Sequence, residues 1–234
     1  MLSVRDLRVS YGRAEILHGV SLDVGDRPVS VVGRNGMGKT TLCYALMGMI
    51  PARSGQVVLD KTRIDRQTAM HVARHGVAIV PQGRRVFPSL SVDEHLSLVS
   101  QGRRAAWTRE RIYDIFPRLA ERKSNGGAQL SGGEQQMLAI ARALLLNPKL
   151  IIMDEPSEGL APVIVDQLIA ILNKLPLEGI GLLLIEQNLR VATSVASTVA
   201  IMLGGRIVAT VPSEQLSRDE ALQRRYLGVS TAGR

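Results

Sequence analysis

The chain is short of several things, and each shortage closes off a class of protein. It has one cysteine, Cys43, in 234 residues, so no internal disulfide can staple it and a reducing compartment suits it. Aromatic residues make up only 3%, so the 45% hydrophobic content is carried mainly by Leu, Val, Ile and Ala, as in an aliphatic α/β core. No stretch approaches the roughly 20 apolar residues that span a bilayer. The opening Met1-Leu2-Ser3-Val4-Arg5-Asp6 lacks the basic lead and apolar run of a secretory signal, so none is expected. Internal repeats and low-complexity tracts are absent from the sequence. A chain of this length buries a substantial core, and one globular unit with an insert is the natural expectation.

Acid is also in short supply: 21 Asp and Glu face 29 Lys and Arg, for a net charge of +8. The basic residues at Arg84-Arg85, Arg103-Arg104, Arg109, Arg111, Arg118, Arg122-Lys123 and Arg224-Arg225 are dispersed among acids, with few aromatics to stack on bases. Solvated helix surface near anionic headgroups accounts for them, and nucleic acid is not an expected partner.

Two blocks about a hundred residues apart decide the chemistry. Gly33-Arg34-Asn35-Gly36-Met37-Gly38-Lys39-Thr40-Thr41 fits G-x-x-x-x-G-K-[ST], a loop whose backbone N–H groups cradle phosphates while Lys39 reaches the outer ones. Its context agrees. Val29-Ser30-Val31-Val32 before it reads as a buried parallel strand, and Thr41 through Met47 after it as a helix with apolar residues at i, i+3 and i+4. That order aims the helix N-terminus, with its unpaired N–H groups and positive dipole end, at the phosphates. Thr40 supplies a hydroxyl for Mg²⁺. Leu130-Ser131-Gly132-Gly133-Glu134-Gln135-Gln136 is the second block: two glycines let backbone approach a phosphate closely, and a helix expected to begin near Glu134 offers another dipole end.

The acidic partner follows the apolar run Leu150-Ile151-Ile152-Met153. Asp154 lies at the carboxyl end of a parallel strand, the edge at which such folds bind ligands, where it can hold the Mg²⁺ that Thr40 also touches. Glu155, one residue further, points differently and can polarise an attacking water as general base.

With these residues in place, the chain resembles an ABC-transporter ATP-binding subunit over essentially its whole length, and within that family the LivF-like second ATPase of importers for branched-chain amino acids and their urea or amide relatives. The two glycine blocks carry the family resemblance. Pro81-Gln82-Gly83-Arg84-Arg85-Val86-Phe87-Pro88, Asp154 through Pro162, and Ile185-Glu186-Gln187-Asn188 carry the narrower one. The resemblance implies that Tyr11 stacks on adenine, a contact worth about 1–3 kcal/mol, and that Gln82 reaches Mg²⁺ or the attacking water. It implies that Ser131-Gly132-Gly133 closes over the γ-phosphate held by a second ATPase subunit, so that ATP joins a homo- or heterodimer. Two departures from the wider family stand out: Gln187 occupies the position of a histidine, and Ala161 that of an aspartate. Glutamine can hydrogen-bond a phosphate but cannot become cationic.

The expectation is therefore an α/β P-loop NTPase, a RecA-like core with an N-terminal antiparallel β-subdomain and a helical subdomain inserted near 84–140, spanning 1–234. The resemblance implies an ATPase that uses ATP and Mg²⁺. It would sit peripherally on the cytoplasmic face of the inner membrane, on two integral permease subunits, with an extracytoplasmic solute-binding protein as an indirect partner. An exporter ATPase, or a soluble ABC ATPase acting on nucleic acid or the ribosome, is the alternative.

Overall fold

The computed structural model describes residues 1–100 and 105–227, so Arg103 and Arg104 lie outside the described residues. Strands β1 (Leu2–Tyr11) and β2 (Ala14–Val24) pair antiparallel across Gly12-Arg13, with Tyr11 opposite Ala14. The period-two pattern predicts this hairpin: Val4, Leu7, Val9, Val20, Leu22 and Val24 are all buried. Then come β3 (Val29–Val32), α1 (Lys39–Leu46), β4 (Ser54–Leu59), β5 (Thr62–Arg63), α2 (Ala69–Arg74) and β6 (Val77–Val80). The first sheet is antiparallel, in the order β2-β1-β4-β5.

Helices fill the stretch between β6 and the next strand: α3 (Val92–Ser97), α4 (Arg109–Ile115), α5 (Pro117–Glu121) and α6 (Gly132–Leu145). A proline inside a helix costs about 3 kcal/mol but little at the first position, so the chain breaks at Phe116 and restarts at Pro117. The buried His95 fastens α3 to the preceding loop. Its Nδ1 lies 2.8 Å from the Ser91 carbonyl, and its Nε2 accepts the Phe87 N–H at 2.9 Å. Several expected boundaries move, and α1 runs Lys39–Leu46 rather than from Thr41 to Met47. The sequence from Ser91 to Val99 reads as helical, and α3 stops at Ser97. Helix α6 begins at Gly132 rather than near Glu134, because Ser131 and Glu134 form a reciprocal capping box that makes both glycines its first residues.

Alternating strands and helices complete the chain: β7 (Leu150–Asp154), α7 (Pro162–Leu172), β8 (Gly181–Glu186), α8 (Leu189–Val195), β9 (Thr198–Leu203), β10 (Arg206–Pro212), α9 (Ser213–Arg218) and α10 (Glu220–Leu227). The second sheet runs β10-β9-β3-β8-β7-β6, parallel except for β10. Both of its faces are covered. Ile151, Met153, Leu182 and Leu184 join the core beneath α3–α7, while Leu150, Ile152, Leu183 and Ile185 join the core shared with α1 and the antiparallel sheet. Burial on both faces is why these strands read as unbroken apolar runs. The strand order also sets the site, because the carboxyl ends of β3, β8, β7 and β6 lie side by side.

Several of the dispersed basic residues are spent on ion pairs: Arg109 with Asp93, Arg111 with Glu178, Arg118 with Glu121 and Arg122 with Glu134.

Candidate functional site

The loop after β3 wraps the N-terminus of α1. Gly38, the N-cap, has φ of 96°, a left-handed conformation that glycine adopts without steric cost. Gly33 has no room for a side chain: a Cβ there would lie 2.5 Å from the Met202 carbonyl of β9. From α1, the buried Lys39 ammonium donates to the Gly33 carbonyl at 2.8 Å and the Arg34 carbonyl at 3.1 Å, and pairs with Glu155 at 3.0 Å. It thus has three acceptors, and engaging a phosphate exchanges at least one of them.

Strand β7 delivers the two carboxylates in different directions. Asp154 is 1% exposed, and neither of its oxygens has a hydrogen-bond partner. Burial pushes its pKa up; Thr40 offsets part of that shift without meeting hydrogen-bond geometry, Glu155 reinforces it and Lys39 opposes it. Glu155 leaves the strand with φ of 49°, a left-handed conformation that costs a non-glycine residue on the order of 1–3 kcal/mol and survives only when its surroundings over-determine it. Here they do. Its N–H donates to the Ile185 carbonyl at 2.8 Å, its carbonyl accepts from Glu158 N–H at 3.1 Å, and its carboxylate holds Lys39.

Gln82, just past β6, donates its amide N–H to Glu155 at 3.3 Å and to Glu158 at 2.9 Å. A cavity of about 320 Å³ gathers Asn35, Gly36, Gly38, Lys39, Thr40, Thr41, Gln82 and Glu155, with Ile16 of β2 as one wall. Sequence reasoning named every one of these residues except Ile16, which carried no signal beyond strand alternation. It also gave no site role to Glu158, which it named only within the Asp154–Pro162 stretch that carries the narrower resemblance. Arg34 and Met37 belong to the same loop but do not line the cavity. Tyr11 is half exposed at the end of β1 and outside it.

Two groups of expected residues stand apart. Gln187, exposed after β8, lines a neighbouring cavity of about 410 Å³ with Ser157, Glu158, Gly159 and Glu186; Glu155 borders both cavities. The Ser131-Gly132-Gly133 segment is elsewhere. Ser131 and Gly133 line a cavity of about 550 Å³ with Phe116, Met137 and Ile164, which shares no wall with the Lys39 cavity. Side chains of this chain crowd both glycines. A Cβ on Gly132 would meet the Arg84 guanidinium at 2.7 Å, and one on Gly133 would meet Ile164 at 3.0 Å.

A parallel sheet with a glycine-rich loop at its switch point, a buried lysine and a strand-end carboxylate pair defines a P-loop nucleotide-binding cassette. The comparisons place it further. The ABC transporter profile matches residues 17–158, and the chain belongs to that family as an ATP-binding, ATP-hydrolysing subunit of a transporter. It is 37% identical to the high-affinity branched-chain amino acid transport ATP-binding protein BraG of Pseudomonas aeruginosa, across 97% of this chain and 100% of that one. It is 33% identical to the lipopolysaccharide export ATP-binding protein LptB of Haemophilus influenzae, across 97% of each. Among solved structures, the ATP-binding subunit of an ABC transporter superposes with a TM-score of 0.82 at 28% identity, covering 100% of this chain and 95% of that one. No helix among the described residues is long and apolar enough to cross a membrane.

Proposed function

We propose that this subunit energises import of branched-chain amino acids or related small polar solutes such as urea or amides, from the cytoplasmic face of the inner membrane. Its greater identity to BraG than to LptB across the same span supports import, as does the Pro81–Pro88 and Asp154–Pro162 chemistry. The partners are two integral permease subunits and a second ATPase subunit, with an extracytoplasmic solute-binding protein acting indirectly.

The observation that carries hydrolysis is the convergence of Lys39, Thr40, Gln82 and Glu155 on one cavity, with the buried Asp154 close enough to Thr40, Glu155 and Lys39 to feel all three. The unpartnered buried oxygens of Asp154 beside the Thr40 hydroxyl are a hard-oxygen donor set that suits Mg²⁺, which keeps most of its water and takes few protein ligands. When bound, Mg²⁺ neutralises charge on the β- and γ-phosphates. Lys39 and the N–H groups from Gly33 to Thr41 hold the phosphates, and Tyr11 stacks on adenine. Gln82 orients the attacking water or meets the ion. Glu155 takes the water's proton as general base, and Gln187 reaches the γ-phosphate from the neighbouring cavity. The separation of Ser131-Gly132-Gly133 from the chain's own phosphate cavity supports a site completed by the partner ATPase. Ala161 and Gln187 bear on how hydrolysis is divided between the two composite sites.

Affinity purification of the tagged chain from native membranes in mild detergent tests the transport role. Recovery of a second P-loop ATPase, two polytopic proteins and a solute-binding protein that takes up amino acids or amides is the expected result. Permeases joined to a lipid-export apparatus would favour the exporter reading raised by LptB, and recovery only with ribosomes or nucleic acid would overturn transport.

A further inference from the structure

Glu186 closes β8, and no step above uses it. Its side chain is 2% exposed, and burial raises its pKa by disfavouring the charge. Three backbone N–H groups answer that burial. Ser157 donates to Oε1 at 3.0 Å, while Gln187 and Asn188 donate to Oε2, each at 3.1 Å. The Ser157 amide belongs to the segment that leaves β7 after Glu155. The other two belong to the segment that leaves β8 and carries Gln187. One carboxylate therefore joins both segments, on the wall of the cavity that Glu155 and Gln187 share.

Those segments need joining. Glu155 keeps its left-handed backbone only while its neighbours hold it. Consecutive residues of β8 do so on either side: the Ile185 carbonyl accepts the Glu155 N–H, and the Glu186 carboxylate accepts the Ser157 N–H two residues on. An apolar residue would fill the volume without electrostatic cost but would leave three buried donors unanswered. Glutamine offers one acceptor oxygen and turns an N–H₂ group toward a donor. A carboxylate meets both segments at once.

We propose that Glu186 is a positioning residue for ATP hydrolysis: by clamping the backbone on both sides of their shared cleft, it keeps Glu155 and Gln187 in register with each other. The proposal rests on Glu155 being the general base, and the experiment separates the two.

The full-length chain carrying E186Q is compared with wild type for Mg-ATP affinity, turnover per nucleotide-binding molecule, and amide hydrogen exchange across residues 153–160 and 184–190. Misplacement of catalytic groups by about 1 Å costs on the order of a hundredfold, so kcat should fall about ten- to hundredfold. ATP affinity should stay within about threefold, because uniform binding is untouched. The Ser157, Gln187 and Asn188 amides should exchange faster. E186D, which keeps the charge and both acceptors on a shorter arm, should recover part of kcat, and it carries the test if E186Q does not fold. Wild-type turnover in folded E186Q overturns the proposal, as does a loss confined to ATP affinity or to the folded fraction. E155Q runs in parallel. An inactive E155Q beside a fully active E186Q overturns this proposal alone, whereas wild-type turnover in E155Q overturns the base assignment beneath it.

Discussion

The Lys39 cavity and the Ser131-Gly132-Gly133 cleft are both built around a helix N-terminus, and they are held by opposite means. In the first, Lys39, Asp154 and Glu155 are buried, and Gln82 reaches Glu155 from 73 residues away. Their charges sit in a low dielectric, where each interaction is strong and an orphaned partner is costly. In the second, Ser131 and Glu134 cap α6 across three residues, partly in water. The tertiary fold builds the first cavity. The second is a local motif presented outward beside an apolar cavity, and in our reading it waits for a partner subunit.

The largest test of this contrast is E155Q. Removing a general base costs about 10²–10⁴-fold, so turnover should collapse while Mg-ATP binding survives. Unchanged hydrolysis would remove the base from the cavity altogether. K39A comes next. Hydrogen bonds to charged groups are worth about 1.5–3 kcal/mol, so ATP affinity should fall about ten- to a hundredfold in equilibrium binding. Its melting temperature should fall as well, because Glu155 is left buried without its cation.

At the local cleft the effects shrink. S131A loses a capping side chain worth about 1 kcal/mol, a drop of about 2–4 °C in thermal melting, with ATP affinity of the isolated chain unchanged. A loss of affinity as large as that of K39A would show that the two clefts are coupled within one chain.

The smallest effect is a pH dependence at His95. Burial lowers its pKa first, with Arg142 adding to the shift while the Ser91 carbonyl and Glu94 oppose it. The unfolded chain therefore takes the proton first. The stability His95 confers is complete above the ordinary value of about 6.5 and is lost as pH falls through that value toward the lower folded one. Thermal melts between about pH 7.5 and 5.5 should decline in wild type and decline less in H95N; equal slopes would show that another group titrates there.

What was legible in the sequence follows the same divide. The β1–β2 hairpin, the run before the P-loop and the break at Phe116-Pro117 are written in neighbouring residues, and the structure shows them. The start of α6 moved by two residues because its capping box, rather than apolar period, sets where the helix begins. The Lys39–Glu155 pair and the Gln82–Glu158 bond gave no sign, since nothing local records which strand lies beside which. Glu186 could have been noticed as an acid closing the buried run Leu182–Ile185, but its three donors come from two separate segments.

The sequence by itself determined the chemistry on offer: a phosphate loop before a helix, a carboxylate pair after an apolar strand, a capped glycine pair, and membership of the ABC transporter family. The first three rest on short-range periodicity, backbone conformation and capping, which act over a few residues, and the family membership rests on the resemblance that the motif stretches carry. Only the tertiary structure decided that β8 lies between β3 and β7. Glu155 is thereby bent over Lys39, Asp154 is left buried without a hydrogen-bond partner, and Glu186 is clamped across both neighbouring segments. Sheet order is settled by burying two apolar faces at once, and no single segment can express that global condition.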